Sequence, residues 1–126
     1  GPILRPGLRS ARRMHSLLQE SSDMQSLQKP ELDIVGYLTR AGTASKVDRD
    51  SVQIFDQFAL RPPDQQWHLA TYNIRVDDLA RRGIDVEPDQ AHARILRSVL
   101  MKPEHDAVAN GLVKVLEEAS RRTVAP

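Results

Sequence analysis

Prolines divide the chain into short segments, and this division constrains the fold more than any other feature. The breaks fall at Pro30, Pro62-Pro63, Pro88 and Pro103. Proline has no amide proton and clashes inside a helix, so it favours helix starts and the ends of helices. Between the breaks, apolar residues recur at helical spacing, and no alternating run is long enough to indicate a sheet. The sequence therefore predicts an all-α fold.

Five helices are expected from this pattern. They are placed at about residues 30–42, 48–61, 64–82, 88–102 and 104–122. The second has Ser45 or Asp48 as its candidate N-cap, and the first and third end at Gly42 and Gly83, where glycine suits a left-handed residue after the helix. The third carries apolar residues on more than one side, which predicts that neighbouring helices sandwich it.

A weak internal repeat extends the prediction to an α-solenoid. The stretch "YLTRAG" at 37–42 resembles "DLARRG" at 78–83, and the segments that follow keep the same offset as far as Pro62 and Pro103. Helix pairs that recur at about 35 to 45 residues stack as solenoids. The alternative is that both stretches are ordinary helix endings. With the repeat, the domains are 1–29 as an N-terminal arm, 30–122 as the helical-repeat domain and 123–126 as a tail.

The N-terminal arm is basic. Arg5, Arg9, Arg12 and Arg13 precede the first acid, Glu20, and leucines and Met14 lie among the basic residues. This composition is typical of a mitochondrial presequence, which is rich in arginine and amphipathic when helical. The alternative is a disordered basic arm. We expect an extended arm and a mitochondrial location.

Composition and motifs argue against an enzyme. The net charge is +1 and there is no cysteine, which excludes thiolate catalysis and thiolate metal sites. No apolar run approaches the roughly 20 residues of a membrane-spanning helix. No phosphate-binding loop, nucleophile elbow or helical histidine pair occurs, and the carboxylates of Glu87 and Asp89 are explained by a helix N-terminus. We predict no catalytic residue, no cofactor and no metal.

The segment around Trp67, the only tryptophan, is expected to join two helices rather than to form a pocket. Asp64 suits the start of the third helix, and the indole belongs to its apolar surface. The polar residues nearby are predicted to form a partner interface, namely Arg61, Gln65, Gln66 and His68.

Two nucleic-acid interpretations compete with protein binding. The stretch 79–96 has the opening of a helix-turn-helix, but its second helix would bring Glu87 and Asp89 toward DNA phosphates. The stretch 70–83 is similar to the first helix of a pentatricopeptide repeat, a family that binds single-stranded RNA. A short RNA-binding module, or a component of a mitochondrial ribonucleoprotein, is therefore the alternative function.

Residues from about 47 to 119 resemble the cytochrome c oxidase subunit Va family, called subunit VI in yeast. The resemblance rests on "DSVQIFDQF", "RPPDQQWHL", "NIRVDDL", "VEP" and "AVANGLVKVLEE" in this order. Its motif and packing positions are Pro63, Asp64, Trp67, Leu69, Val86, Glu87 and Pro88.

The resemblance implies both a fold and a function. The fold would be a right-handed superhelix, similar to tetratricopeptide and pentatricopeptide arrays. The function would be that of a nuclear-encoded, non-catalytic accessory subunit of cytochrome c oxidase. Such a subunit binds the other subunits from the matrix side of the inner mitochondrial membrane, without a transmembrane helix and without direct contact to nucleic acid.

Overall fold

The computed structural model describes residues 6–30, 33–62, 69–100 and 105–122. Within these ranges the chain forms four helices and four strands in the order α1, β1, β2, α2, β3, α3, β4, α4. Their bounds are Pro6–Glu20 for α1, Met24–Ser26 for β1, Ile34–Thr39 for β2, Ala44–Ala59 for α2, Ala70–Arg75 for β3, Val76–Arg81 for α3, His92–Val99 for β4 and His105–Arg121 for α4.

The strands build one antiparallel sheet with the order β1-β2-β4-β3. In the register of β4, Val99 lies opposite Ile34 of β2, and Leu96 lies opposite Thr71 of β3. β2 and β3 therefore run in the same direction on either side of β4, and α2 connects them. This sheet contradicts the predicted all-α solenoid, and the prediction is wrong.

The first predicted helix is wrong because the segment 30–42 contains strand β2. Its sequence, IVGYLT, is rich in the β-branched and aromatic residues that strands favour. A short apolar run shows the same spacing in a buried strand as in a helix, so periodicity alone does not separate the two. Pairing with β1 on one side and β4 on the other decides the outcome.

The fourth predicted helix is also a strand. Along β4, exposed His92 and Arg94 alternate with buried Ala93 and Ile95, which is the period of two that a strand shows. Leu96 lies on the same face of β4 as Arg94, but it is buried because helices cover this part of the face. Ile95 and Val99, which the helix prediction placed on one stripe, are four residues apart, a spacing that keeps two residues on one side of a helix and also on one face of a strand.

The third predicted helix divides into strand β3 and the short helix α3. Tyr72 and Ile74 lie in the strand, and only Val76–Arg81 are helical. The predicted end at Gly83 is confirmed, since this residue has a φ of 78° and turns the chain after α3. The two stretches compared as a repeat therefore differ in structure: one ends a strand, the other ends a helix.

The second and fifth predicted helices are confirmed as α2 and α4. The cap of α2 is Thr43, whose Oγ1 accepts a hydrogen bond from the amide of Lys46 at 3.2 Å. Ser45 and Asp48, the candidate caps, instead bind Asp89 and Arg94 through their side chains. In the described part of the chain, no helix combines the length and apolar character needed to cross a membrane.

The N-terminal arm is not extended, which corrects a further part of the predicted fold. Most of it forms α1 and β1, and α1 packs against α4. Ala11, Met14 and Leu18 of α1 are fully buried, while Arg9 and Arg13 are exposed. The amphipathic pattern therefore serves the core of this fold.

The core has two parts, one on each side of the sheet. The larger part joins α1, α4 and the end of α2 to side chains such as Val35, Tyr37 and Leu96. Within it, the hydroxyls of Tyr37 and Ser98 lie 2.7 Å apart, so these two buried groups satisfy each other. The smaller part joins α3, the segment after it and the start of α2 to Leu38, Ala93 and Ile95.

Candidate functional site

The C-terminal end of α2 presents apolar side chains to solvent. Leu60 is 89% exposed and Phe55 is 37% exposed, and Ala59 and Pro62 beside them are also exposed. The core contacts of α2 come from a separate stripe of the helix that includes Ile54 and Phe58, so it is other positions that remain exposed. We call this surface, residues Phe55, Ala59, Leu60, Arg61 and Pro62, the α2 end.

Contacts with α4 fix the α2 end in place. The side-chain amide of Gln57 donates a hydrogen bond to the carbonyl of Ala119 at 3.1 Å. The guanidinium of Arg61 lies 5.7 Å from the centre of the Phe58 ring, within the range of a cation–π interaction. A small cavity of about 50 Å³ separates the two helices at this point. Arg61 therefore adds a positive charge to the apolar surface, and its contact with the Phe58 ring keeps this charge in place.

Of the four residues predicted to form a partner interface, only Arg61 lies within the described residues, and it belongs to the α2 end. The other three lie outside them, as do three of the motif positions; these six are Gln65, Gln66, His68, Pro63, Asp64 and Trp67.

The remaining motif positions are spread over the fold. Leu69 is half-buried against the larger part of the core, and Val86 packs against the smaller part. Glu87 is exposed, but its backbone pairs with the start of α2, where it accepts from the amide of Ala44 at 3.0 Å. Pro88 is exposed. Because α2 has 16 residues and is about 24 Å long, Glu87 and Arg61 lie at opposite ends of it.

A second surface lies on the sheet and was missed at the sequence level. It comprises Ile34 and Gly36 of β2, Arg97 and Val99 of β4, and Tyr72 of β3, and we call it the open sheet surface. Strand register places Gly36 opposite Arg97 and Ile34 opposite Val99. Ile34 is 40% exposed and Arg97 is exposed. The alternation along β4 is the signal that would have revealed it.

Tyr72 is the centre of the open sheet surface. A β-carbon placed on Gly36 would lie 2.8 Å from the phenolic oxygen of Tyr72, so the absence of a side chain at Gly36 makes room for the phenol. The guanidinium of Arg97 lies 5.9 Å from the centre of the ring. Burial raises the pKa of the Tyr72 phenol, and the positive charges of Arg82 and Arg97 oppose that rise.

A shallow cleft of about 470 Å³ lies between α3 and the segment before β4. It contains Arg75, whose guanidinium lies 3.6 Å from the carboxylate of Asp77, and exposed His92. Asp89 also lines it, but this carboxylate accepts hydrogen bonds from Ser45, which hold its pKa below the usual value. Asp89 is thus committed to the start of α2 and does not form an acid–base pair with Glu87.

Among the histidine side chains that the structure describes, that of His15 in α1 has a close polar partner. Its Nδ1 lies 2.7 Å from the hydroxyl of Ser26, and burial lowers its pKa. The hydroxyl of Ser26 donates to the carbonyl of Gln28, so in this arrangement the imidazole donates to Ser26 rather than accepting its proton. In residues 6–30, 33–62, 69–100 and 105–122, no three His, Asp or Glu side chains are grouped as metal ligands.

Comparison with known proteins adds no name to these surfaces, since no protein-family model and no curated protein matches the chain. The resemblance to oxidase subunit Va therefore stays a prediction.

Proposed function

We propose that this chain is a non-catalytic accessory subunit that binds a partner protein through the α2 end. The observation that carries the proposal is the exposure of Leu60, at 89%, together with that of Phe55, at 37%, beside a positioned arginine. Burying one such side chain gains about 1.5 to 3 kcal/mol. Aromatic and arginine side chains are also enriched where protein interfaces gain most of their binding energy.

The partner that we propose is a mitochondrial respiratory complex, cytochrome c oxidase first. Two sequence features support this choice: the order of motifs shared with the subunit Va family and the basic, amphipathic N-terminal segment. The superhelix of that family is not part of the support, because this chain contains a sheet. The proposed location is the matrix side of the inner membrane, where the subunit would stabilise the assembly by packing.

Affinity purification from detergent-solubilised mitochondria tests the proposal. The tagged chain should bring down a complex with haem absorbance, and the Phe55→Gln, Leu60→Gln double variant should recover much less of it. Asp56→Gln is the matched control, because Asp56 is an exposed polar neighbour on the same helix. Equal haem recovery with all three chains would show that the α2 end is not the docking surface.

A second candidate function, RNA binding, has support from a different surface. Purified material that contains RNA and no haem would overturn the oxidase assignment.

A further inference from the structure

The two faces of the sheet are covered to different extents by the described residues. On one face, Leu96 and Ser98 of β4 are fully buried under the helices. On the other face, α3 and the segment after it cover the end of the sheet that carries Ile95, and the buried side chain of Leu27 packs over Gly36. The remaining half of this face is the open sheet surface, on which Arg97 is exposed.

Tyr72 lies along this half of the sheet. Its strand β3 and the strand of Gly36 are separated by β4, so their backbones are about 9 to 10 Å apart. The phenolic oxygen nevertheless reaches the position that a β-carbon of Gly36 would contact. A tyrosine side chain that stood upright on the sheet would not reach this position. The side chain therefore crosses over β4, and the half-buried ring forms part of the surface.

Arg97 lies beside this ring, and the charge of Arg82 also acts on the phenol. In the part of the chain that the structure describes, neither Arg97 nor Arg82 has a carboxylate partner; Arg82 donates to the neutral side chain of Gln28. Four other arginines do pair with carboxylates, in the pairs Arg75–Asp77, Arg81–Asp78, Arg94–Asp48 and Arg121–Asp23. The positive charge is thus local to Tyr72 and does not depend on the net charge of the chain.

This combination has the chemistry of a single-stranded nucleic-acid site. Guanidinium groups bind phosphate oxygens in a forked geometry, and aromatic side chains on sheets stack with unpaired bases. A duplex hides the base faces, so a flat surface of this kind suits a single strand. Ile34 and Val99, which lie opposite each other on β2 and β4, add an apolar contact for a neighbouring base or sugar.

We propose that the open sheet surface, together with Arg82, binds single-stranded nucleic acid. A base stacks on Tyr72, and Arg82 and Arg97 bind the phosphates that flank it. This inference is independent of protein docking by the α2 end, because it uses different residues on the sheet. With about two phosphate contacts, affinity should lie in the micromolar range and fall as salt concentration rises.

Fluorescence anisotropy with the full chain measures this binding. The probes are fluorescein-labelled oligouridylate and oligothymidylate of about 12 nucleotides, titrated at about 50 and 200 mM KCl. Binding of both probes indicates a phosphate and base site, and tighter binding of oligouridylate indicates RNA. Arg97→Gln should weaken binding about fivefold and reduce the salt slope by roughly 0.7, the value for one phosphate on a single strand. Tyr72→Leu should weaken it about tenfold, and Tyr72→Phe less than about twofold.

Arg75→Gln is the matched control for charge. Arg75 lies on β3, three residues from Tyr72, so its side chain belongs to the opposite face of the sheet. It should leave the affinity within about twofold. Circular dichroism checks that every variant remains folded, and Arg97→Gln, measured at both salt concentrations, still tests the site if Tyr72→Leu is unstable.

Three outcomes would overturn the inference. One is no anisotropy change with either probe at about 100 µM chain and 50 mM KCl, the weak limit of nonspecific affinity. Another is equal weakening by Arg97→Gln and Arg75→Gln, which would mean diffuse charge attraction. The third is tighter binding of labelled poly-L-glutamate than of either oligonucleotide, with loss on Arg97→Gln; an acidic protein segment would then be the occupant.

Discussion

The covered face and the open sheet surface belong to the same strands, yet neighbouring residues along β2 and β4 have opposite roles. Tyr37 and Leu96 are fully buried among helices, whereas Gly36 and Arg97, one residue away in each strand, belong to the open side. The two tyrosines show the difference most clearly. The hydroxyl of Tyr37 binds Ser98 inside the core, while Tyr72 lies on the surface beside two arginines.

Because of this difference, we expect the covered face to contribute mainly to folding stability and the open sheet surface mainly to ligand binding. Residues on the covered face contribute free energy of folding, because their side chains leave water when the helices pack. Residues on the open sheet surface leave much of their contact area available, so their energy is realised when a ligand binds. Substitutions on the two faces should therefore change different measured quantities.

The largest effect is expected from truncation on the covered face. Leu96 is fully buried, so Leu96→Ala should lower the free energy of unfolding by about 2 to 5 kcal/mol through lost burial and a residual cavity. Urea denaturation followed by circular dichroism measures this change. Ile34→Ala on the open sheet surface is the control, and because Ile34 is 40% exposed, we expect about 1 kcal/mol or less. Equal losses would show that both faces are covered to the same degree.

A smaller effect is expected where the open sheet surface has no spare room. Gly36→Ala would place a β-carbon 2.8 Å from the phenolic oxygen of Tyr72 and 3.2 Å from Cδ2 of Leu27. Both neighbours are the ends of flexible side chains, so they should move at a cost of about 1 kcal/mol. The displaced ring should also weaken binding of oligouridylate by several-fold.

A double-mutant cycle tests whether the stability cost of Gly36→Ala comes from contact with the phenolic oxygen of Tyr72. Tyr72→Phe removes the phenolic oxygen, so Gly36→Ala should cost less in the Tyr72→Phe background. Gly42→Ala is the control, because no atom lies within 4 Å of its added β-carbon. If Gly36→Ala costs the same with and without the oxygen, the tyrosine does not cross the sheet at Gly36.

The sequence predicts helices α2 and α4 and the glycine turn at Gly83, and it does so for local physical reasons. Helical stripes and a positive-φ glycine are encoded within a few residues, and at α2, α4 and Gly83 the tertiary arrangement agrees with this local signal. Segments 34–39 and 92–99 were assigned as helices because strand pairing is a long-range property. Ile34 and Val99 are partners across most of the chain, and nothing in either segment alone specifies the other.

The candidate surfaces show the same contrast between features encoded locally and features that depend on long-range pairing. Arg61 could be singled out because it ends a predicted helix, and in the structure it lies two residues beyond the end of α2. Tyr72, Arg82 and Arg97 could not be grouped from the sequence. Tyr72 and Arg97 come together only when β3 pairs with β4, and Arg82 joins them only through the fold of the residues after α3. Once 92–99 is recognised as a strand, alternation alone separates Arg97 from Leu96 and Ser98.

The smallest effect concerns stability in acid. It compares Arg94, which forms a salt bridge with Asp48, with Arg97, which forms none with the described residues. Asp48 accepts two hydrogen bonds from the guanidinium of Arg94, each 2.9 Å long. The side-chain hydrogen bond from Arg94 is the main reason that the pKa of Asp48 lies below its usual value. A lowered pKa adds stability above the unfolded-state value, near 3.8. That stability is lost as the pH falls through the lower, folded-state value.

Asp48→Asn should therefore flatten the loss of stability below about pH 4, and at neutral pH it should cost about 1 kcal/mol or less because Arg94 is partly exposed. Urea denaturation at a series of pH values measures both. Asp77→Asn is the control, since the Asp77 side chain is 68% exposed and its contact with Arg75 is 3.6 Å; this variant should cost less stability at neutral pH than Asp48→Asn. An unchanged profile for Asp48→Asn would mean that the Arg94 pair adds no stability.

The same Asp48→Asn variant also tests whether a free arginine is sufficient to bind nucleic acid. It leaves Arg94 without its carboxylate partner. Arg94 nevertheless lies on the face opposite Arg97, because the two residues are three positions apart in β4 and side chains alternate between faces. Affinity for oligouridylate should therefore stay within about twofold of the wild type. A marked gain in affinity would mean that uncompensated charge, and not its position beside Tyr72, determines binding.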